Sequence, residues 1–246
     1  MAYDLISFDL DGTLVDTADE IAEAANLALA AHGLARRPVT EITDLIGAGT
    51  RQLMLGLLAH CKVKEPSSMQ ALDPEAVLAS FDEHYATTTG TTAAPYAGCL
   101  DALTQLRGAG VRLACTTNKE LRHARRVLAA TGLDGYFDLV VGGDSLPEKK
   151  PHATVLQHVA TILGVELGRV AHVGDSAIDV RSARHAGVAA WAVPYGYNGG
   201  VPVAQAGPDL VFQSLTEVAA HVMLCRAQEA QSPGPARSPS LSEARG

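Results

Sequence analysis

Short apolar runs and longer amphipathic stretches take turns along most of this chain. Residues 3–9 (YDLISFD), 111–116 (VRLACT), 137–141 (FDLVV), 170–173 (VAHV) and 189–193 (AAWAV) are short and mostly apolar, with a weaker sixth run at 210–212. Apolar character that is continuous rather than alternating suits strands buried on both faces, so these runs predict a parallel sheet. Between them, residues 99–108, 121–130, 153–163 and 177–186 read as helices. Several are followed by glycine (Gly132, Gly164, Gly187), which a helix C-terminus favours. The βαβα alternation predicts an α/β fold built on a doubly wound sheet.

One region departs from the alternation. From Thr17 to Tyr85 no good strand pattern occurs. Thr17 and Glu20 have the spacing of a capping box and open an alanine-rich helix that stops near Gly33. Thr40 and Thr50 read as further helix starts, and Asp73-Pro74-Glu75 opens another with proline in the first turn. The pattern predicts a small helical subdomain inserted after the first strand, with the polar segment 87–95 (TTTGTTAAP) as its return linker. The division expected is a core of residues 1–15 and 90–225, an insert of 16–89, and a disordered tail of 226–246, rich in Ser, Pro and Gly.

Composition narrows the function classes. Of 246 residues, 47% are hydrophobic and 19% charged, an ordinary globular balance. The net charge of −8, with no basic run, argues against nucleic acid as a partner. No apolar stretch is long enough to span a bilayer, and the N-terminus has no signal-peptide pattern, so no membrane partner is expected. The four cysteines (Cys61, Cys99, Cys115, Cys225) lack paired spacing and read as free thiols of a cytoplasmic protein. Cys115 is expected in the core, His172 as a packed strand residue, and the other histidines at surfaces or interfaces.

The candidate chemistry gathers where strands end. Asp9 and Asp11, in Asp9-Leu10-Asp11-Gly12-Thr13, follow the first strand, at the edge where open α/β sheets bind ligands. The same residues also suit a plain turn. A second acidic group, Asp175 in Gly174-Asp175-Ser176 and Asp179 four residues later, follows the fourth strand, and there Ser176 reads as a helix cap. Should these acids converge, each like pair at about 4 Å costs about 4 kcal/mol at an effective dielectric near 20. A hard divalent cation with oxygen ligands relieves that cost, and Mg²⁺ suits carboxylates together with a phosphate. Thr117, Asn118 and Lys119 end the second strand. Lys150, just before Pro151, could reach a phosphoryl oxygen as a point charge.

Taken together, these motifs resemble the haloacid dehalogenase superfamily of phosphatases, and most closely the phosphoglycolate phosphatase family. The resemblance rests on DLDGT (Asp9 to Thr13), Thr117, Lys150 and GDSAID (Gly174 to Asp179). Val15-Asp16-Thr17, Thr117-Asn118-Lys119, Gly142 to Pro147 and Tyr195 to Asn198 support it, and it spans residues 3–222. It implies a Rossmann-like sheet in the order 5-4-1-2-3, with the helical insert as a cap. It implies a small phosphate ester as substrate and an aspartyl-phosphate mechanism, with Asp9 as nucleophile and Asp11 as acid and base. Mg²⁺ would lie between the Asp9 carboxylate, the Asp11 carbonyl and Asp175, with Asp179 an outer partner or a direct ligand. Thr117, Asn118 and Lys150 would bind the phosphoryl group; Arg51 of the cap suits either a substrate carboxylate or a plain surface position in the first turn of a helix. An acid at position 11 favours phosphate esters over halides, whose departure needs no proton. His152-Ala153 stand where the family has Asp-Pro, which concerns the helix start. Hydrolysis of 2-phosphoglycolate leads. Another small phosphomonoester, pyrophosphate, a sugar-phosphate mutase and a non-enzymatic phospho-receiver are the alternatives.

Overall fold

The computed structural model describes residues 2–64 and 72–231. The chain opens with β1 (Leu5–Phe8), forms the two-residue strand β2 (Val15–Asp16), and enters the helices α1 (Ala18–Ala31), α2 (Val39–Thr43), α3 (Thr50–Lys64) and α4 (Pro74–Thr88). It returns through β3 (Ala94–Pro95), antiparallel to β2. Then follow α5 (Cys99–Gly108), β4 (Arg112–Thr116), α6 (Leu121–Ala130), β5 (Leu139–Val141), α7 (Ala153–Leu163), β6 (Val170–Gly174) and α8 (Ala177–Ala186). The chain continues with β7 (Ala189–Ala192), β8 (Leu210–Val211) and α9 (Leu215–Gln231).

The main sheet runs β5-β4-β1-β6-β7-β8, parallel throughout. This is the order the resemblance implies, with β8 added at one edge. Strand side chains alternate between faces. Ile6 and Phe8 pack with α5, α6 and α9, while Leu5 packs with α7 and α8. Both faces are covered, which is why the strands read as apolar runs rather than as alternating ones. The first and fourth strands along the sheet sequence, β1 and β6, are neighbours, with Phe8 opposite Val173. Their C-terminal ends therefore form a switch point, and Asp9 N–H extends the ladder to the Val173 carbonyl (2.9 Å).

The insert has a separate core in which Ile21, Ala25, Leu29, Met54, Leu57 and Phe81 are buried together. Asp73 caps α4 as expected, accepting from the Glu75 N–H (3.0 Å). Thr50 starts α3, whereas α2 begins one residue before Thr40. The capping box at the entrance to α1 is not formed. The Thr17 hydroxyl donates instead to Asp11 Oδ1 (2.6 Å), and buried Glu20 accepts from the Gly90 N–H (2.8 Å). A carboxylate that needs a donor at the site has taken the hydroxyl that the local spacing assigns to the helix.

The expected tail is also corrected at its start. Residues 226–231 continue α9, tied to the core because Arg226 and Arg169 pair with Asp4, and Arg169 also with Glu229. The rest of that expectation, from 232 onward, lies outside the described residues. His152 takes over the helix start where the family has Asp-Pro, its ring accepting from the Thr154 N–H (3.4 Å). The cysteines are free thiols, and Cys115 is buried in the core. Among the described residues, no helix is long and apolar enough to cross a membrane.

Candidate active site

Four strand ends bring the expected residues to one place. Asp9 and Asp11 follow β1, Thr117 to Lys119 follow β4, Lys150 lies in the segment between β5 and α7, and Asp175 follows β6. All of them are buried. Asp9, Asp175 and Asp179 approach one another so that one oxygen from each lies within 4.8 Å of the others. Lys150 Nζ donates to Asp9 Oδ1 (2.8 Å) and to Asp179 Oδ1 (2.7 Å).

Burial dominates the electrostatics. It pushes Asp9 above the usual carboxylate range, with Lys150 opposing and Asp179 reinforcing the shift. Asp175 is likewise pushed well up by burial and by the charges of Asp179 and Asp9. Burial acts the same way on Asp179, but the Lys150 ammonium and the His172 hydrogen bond outweigh it and hold that carboxyl far below the usual range. One ammonium is thus bonded to two of three clustered buried acids, a balance that a further cation would complete.

Asp11 has a different environment. Its Oδ1 accepts from Thr17 and forms a short ion pair with Lys119. Burial alone would lower the Lys119 pKa, but the Asp11 charge more than reverses this, so the lysine stays charged. Its Nζ also lies 5.5 Å from the centroid of the Tyr85 ring of the cap. Asp9, Asp11, Thr117, Asn118 and Lys119 line one cavity with Ile21, Ile46, Leu53 and Tyr85 of the cap. The Thr117 hydroxyl accepts from the Lys119 N–H (3.2 Å), which leaves its O–H free to donate.

Two expected substrate contacts take other roles. The Asn118 amide group donates to the Gly47 carbonyl of the cap (2.9 Å) and to the Lys150 carbonyl (3.0 Å). Both donors are committed, so Asn118 staples the cap to the Lys150 segment rather than donating to a phosphate. Arg51 is not among the residues that line the cavity and forms a bidentate pair with Glu75 (2.9 and 2.6 Å), both side chains being exposed.

Several participants were not among the expected site residues. Lys119 was visible only as the last residue of Thr116-Thr117-Asn118-Lys119, and its direction was not. His172 is packed in its strand as expected, yet it also links Asp179 (3.2 Å) to Ser7 (3.0 Å) beneath the site. Tyr197 donates its backbone N–H to Asp175, at a point where the YGYN motif carries no obvious chemical signal.

Acids grouped around a buried ammonium, at the switch point of a doubly wound sheet and under a helical cap, define a capped α/β hydrolase. Residues 3–187 match haloacid dehalogenase-like hydrolases, and the chain belongs to that family. The phosphoglycolate phosphatase of Thiobacillus denitrificans is 36% identical over 214 residues, covering 87% of this chain and 93% of that protein. The plasmid form from Cupriavidus necator is 39% identical over 210 residues, covering 85% and 89%. A crystal structure of a predicted phosphoglycolate phosphatase from Haemophilus somnus superposes with a TM-score of 0.85 at 30% identity, covering 89% and 97%. The protein is an enzyme, a phosphatase.

Proposed function

We propose that this phosphatase hydrolyses 2-phosphoglycolate to glycolate and phosphate through an aspartyl-phosphate intermediate, with Mg²⁺ as cofactor. The observation that carries the reading is the convergence of Asp9, Asp175 and Asp179, two of them bonded to Lys150, beside a cavity that Asp9, Asp11 and Lys119 line. The relatives named for phosphoglycolate support the choice of substrate.

The oxygen-only donor set fits Mg²⁺. The Asp9 and Asp175 carboxylates and the Asp11 carbonyl would hold it. Asp179 would stay outside the coordination sphere, because Lys150 and His172 occupy one of its oxygens and Ser176 the other. When bound, the cation would supply charge neutralisation to the phosphoryl oxygens.

Lys150 holds Oδ1 of Asp9, which leaves Oδ2 to attack phosphorus. As the new P–O bond forms, the bond to the glycolate oxygen breaks, and Asp11 gives that oxygen a proton. Asp11 then takes a proton from the water that cleaves the acyl phosphate, which releases phosphate and restores Asp9. Thr117 donates to the phosphoryl group and Lys150 balances its charge. Lys119 is the cation among the residues lining the cavity, and it offers a counter-charge to the substrate carboxylate. Ile21, Ile46, Leu53 and Tyr85 exclude water and leave room for a small leaving group.

The test is phosphate release from 2-phosphoglycolate, other small phosphomonoesters, pyrophosphate and a sugar phosphate, with and without EDTA. The highest kcat/KM is expected for 2-phosphoglycolate, with activity lost on chelation and regained with Mg²⁺. A clear preference for another substrate would overturn the choice of phosphoglycolate. Turnover unaffected by thorough chelation would overturn the cofactor.

A further inference from the structure

The segment after β7 makes an unusual set of contacts. Gly196 packs so tightly on Asp175 and on the Gly12 carbonyl that a Cβ there would collide with both. Gly12, at a φ of 81°, is pressed against the same carboxylate. Tyr197 then donates its backbone N–H to Asp175 Oδ2, while its side chain reaches back to Asp16, Thr17 and Ala18, the hinge where the chain enters the cap. The ring hydroxyl accepts from the N–H groups of Thr17 (2.8 Å) and Ala18 (3.0 Å) and donates to the Asp16 carboxylate. It thereby serves the N–H groups of the N-cap residue and of the first helical residue of α1, the latter shared with Asp16 Oδ1 (3.1 Å). Tyr195 braces the same joint, its hydroxyl donating to the Thr13 carbonyl (2.9 Å) and its ring lying 4.6 Å from that of Tyr96 beside β3.

We infer that Tyr197 is a positioning residue that ties the cap hinge to the carboxylate of Asp175, so that the seating of the cap and the geometry of the cation site are set together. This rests on the reading of Asp175 as a ligand for Mg²⁺. Thr17 gives the hinge a second tie, to Asp11. A hinge strapped to both acids moves neither end without disturbing the other.

The test compares wild type with Tyr197→Phe, which keeps the ring and the backbone N–H and loses only the hydroxyl. Tyr136→Phe serves as control, since that hydroxyl contacts Thr104 far from the site. Calorimetric titration with Mg²⁺ alone should give a dissociation constant raised about three- to tenfold in Tyr197→Phe and unchanged in the control. Outer-sphere changes typically cost 10- to 100-fold, and this contact lies one link further out. Hydrogen exchange at the Thr17 and Ala18 amides should accelerate, and kcat at saturating Mg²⁺ should fall. A lower melting temperature with unchanged Mg²⁺ affinity would show a merely structural role and overturn the inference. Wild type that binds no Mg²⁺ would overturn the reading of the site itself, and the inference with it.

Discussion

The Lys150 ammonium lies 2.8 Å from Oδ1 of Asp9, buried, with Asp179 on its other side. Lys150→Met keeps much of the length of the side chain and removes the charge, leaving Asp9 and Asp179 without their cationic partner. Breaking such a pair costs about 3–5 kcal/mol. The lower end applies, because Asp9 is already pushed toward the protonated form by burial. In EDTA the melting temperature should drop by roughly 10 °C, and Mg²⁺ should restore part of it. Phosphatase activity should fall about 100-fold or more. A variant that melts with wild type in EDTA would mean that the ammonium does not neutralise these acids.

Asp9 and Asp11 sit in one turn but differ in their partners, and their variants should fail differently. Asp9→Asn removes the attacking oxygen, so activity should fall by about 10⁴-fold or more with the fold intact. Asp11→Asn should cost about 10²- to 10⁴-fold with phosphoglycolate. With p-nitrophenyl phosphate the leaving group needs no proton, so Asp11→Asn should still release about one equivalent of p-nitrophenol in a burst. Asp9→Asn should give no burst. Rapid-quench kinetics reads the difference, and a burst from Asp9→Asn would remove it from the nucleophile's role.

Arg51 is committed to Glu75 on the exposed side of the cap, and it is absent from the residues lining the cavity. Arg51→Ala should therefore change KM for phosphoglycolate and for a phosphate ester without a carboxylate by the same small factor. Lys119→Met should instead raise KM for phosphoglycolate selectively. A selective rise in Arg51→Ala would mean that the arginine leaves Glu75 when substrate binds.

Strand positions were legible in the sequence because burial on both faces leaves a continuous apolar run, as in β1 and β6. Their partners in the sheet were not legible from the runs themselves, and the order came from the resemblance carried by Asp9 to Thr13 and Gly174 to Asp179. What local spacing misread has a common cause. Thr17 follows a capping pattern, yet its hydroxyl serves Asp11, a residue placed by the sheet edge. Asn118 stands in a phosphate-binding motif, yet its amide spans from Gly47 to Lys150. Arg51 lies in the first turn of α3, whose Thr50 and Leu53 line the cavity, but it pairs with the acid at position 75. In each case a contact distant in sequence outcompetes the role that neighbours suggest. Residues 226–231 lack helical periodicity, and it is ion pairs to Asp4 and Arg169 that hold them in α9.

His123 gives the joint between cap and core a pH dependence. It is buried on α6, with its ring centroid 4.5 Å from that of Tyr85, its Nδ1 3.2 Å from the Thr89 hydroxyl, and its Nε2 3.6 Å from Asp82 Oδ1. Burial and the neighbouring Arg122 charge push its pKa down, with Glu120 and Asp82 opposing in part. An unfolded chain, with histidine near the ordinary value of about 6.5, then binds more protons than the folded one just below that pH. The stability linked to His123 is complete above about pH 6.5 and is lost as the pH falls through the lower folded value. His123→Gln keeps a polar contact for Thr89 and cannot titrate. Measured from pH 8 to pH 5.5, the melting temperature of wild type relative to this variant should fall steadily below about pH 6.5. His172 and His221, also pushed down by burial, are present in both proteins and cancel in the difference. A gap that stays constant across the range would mean that His123 takes up its proton as readily in the folded joint as in the unfolded chain.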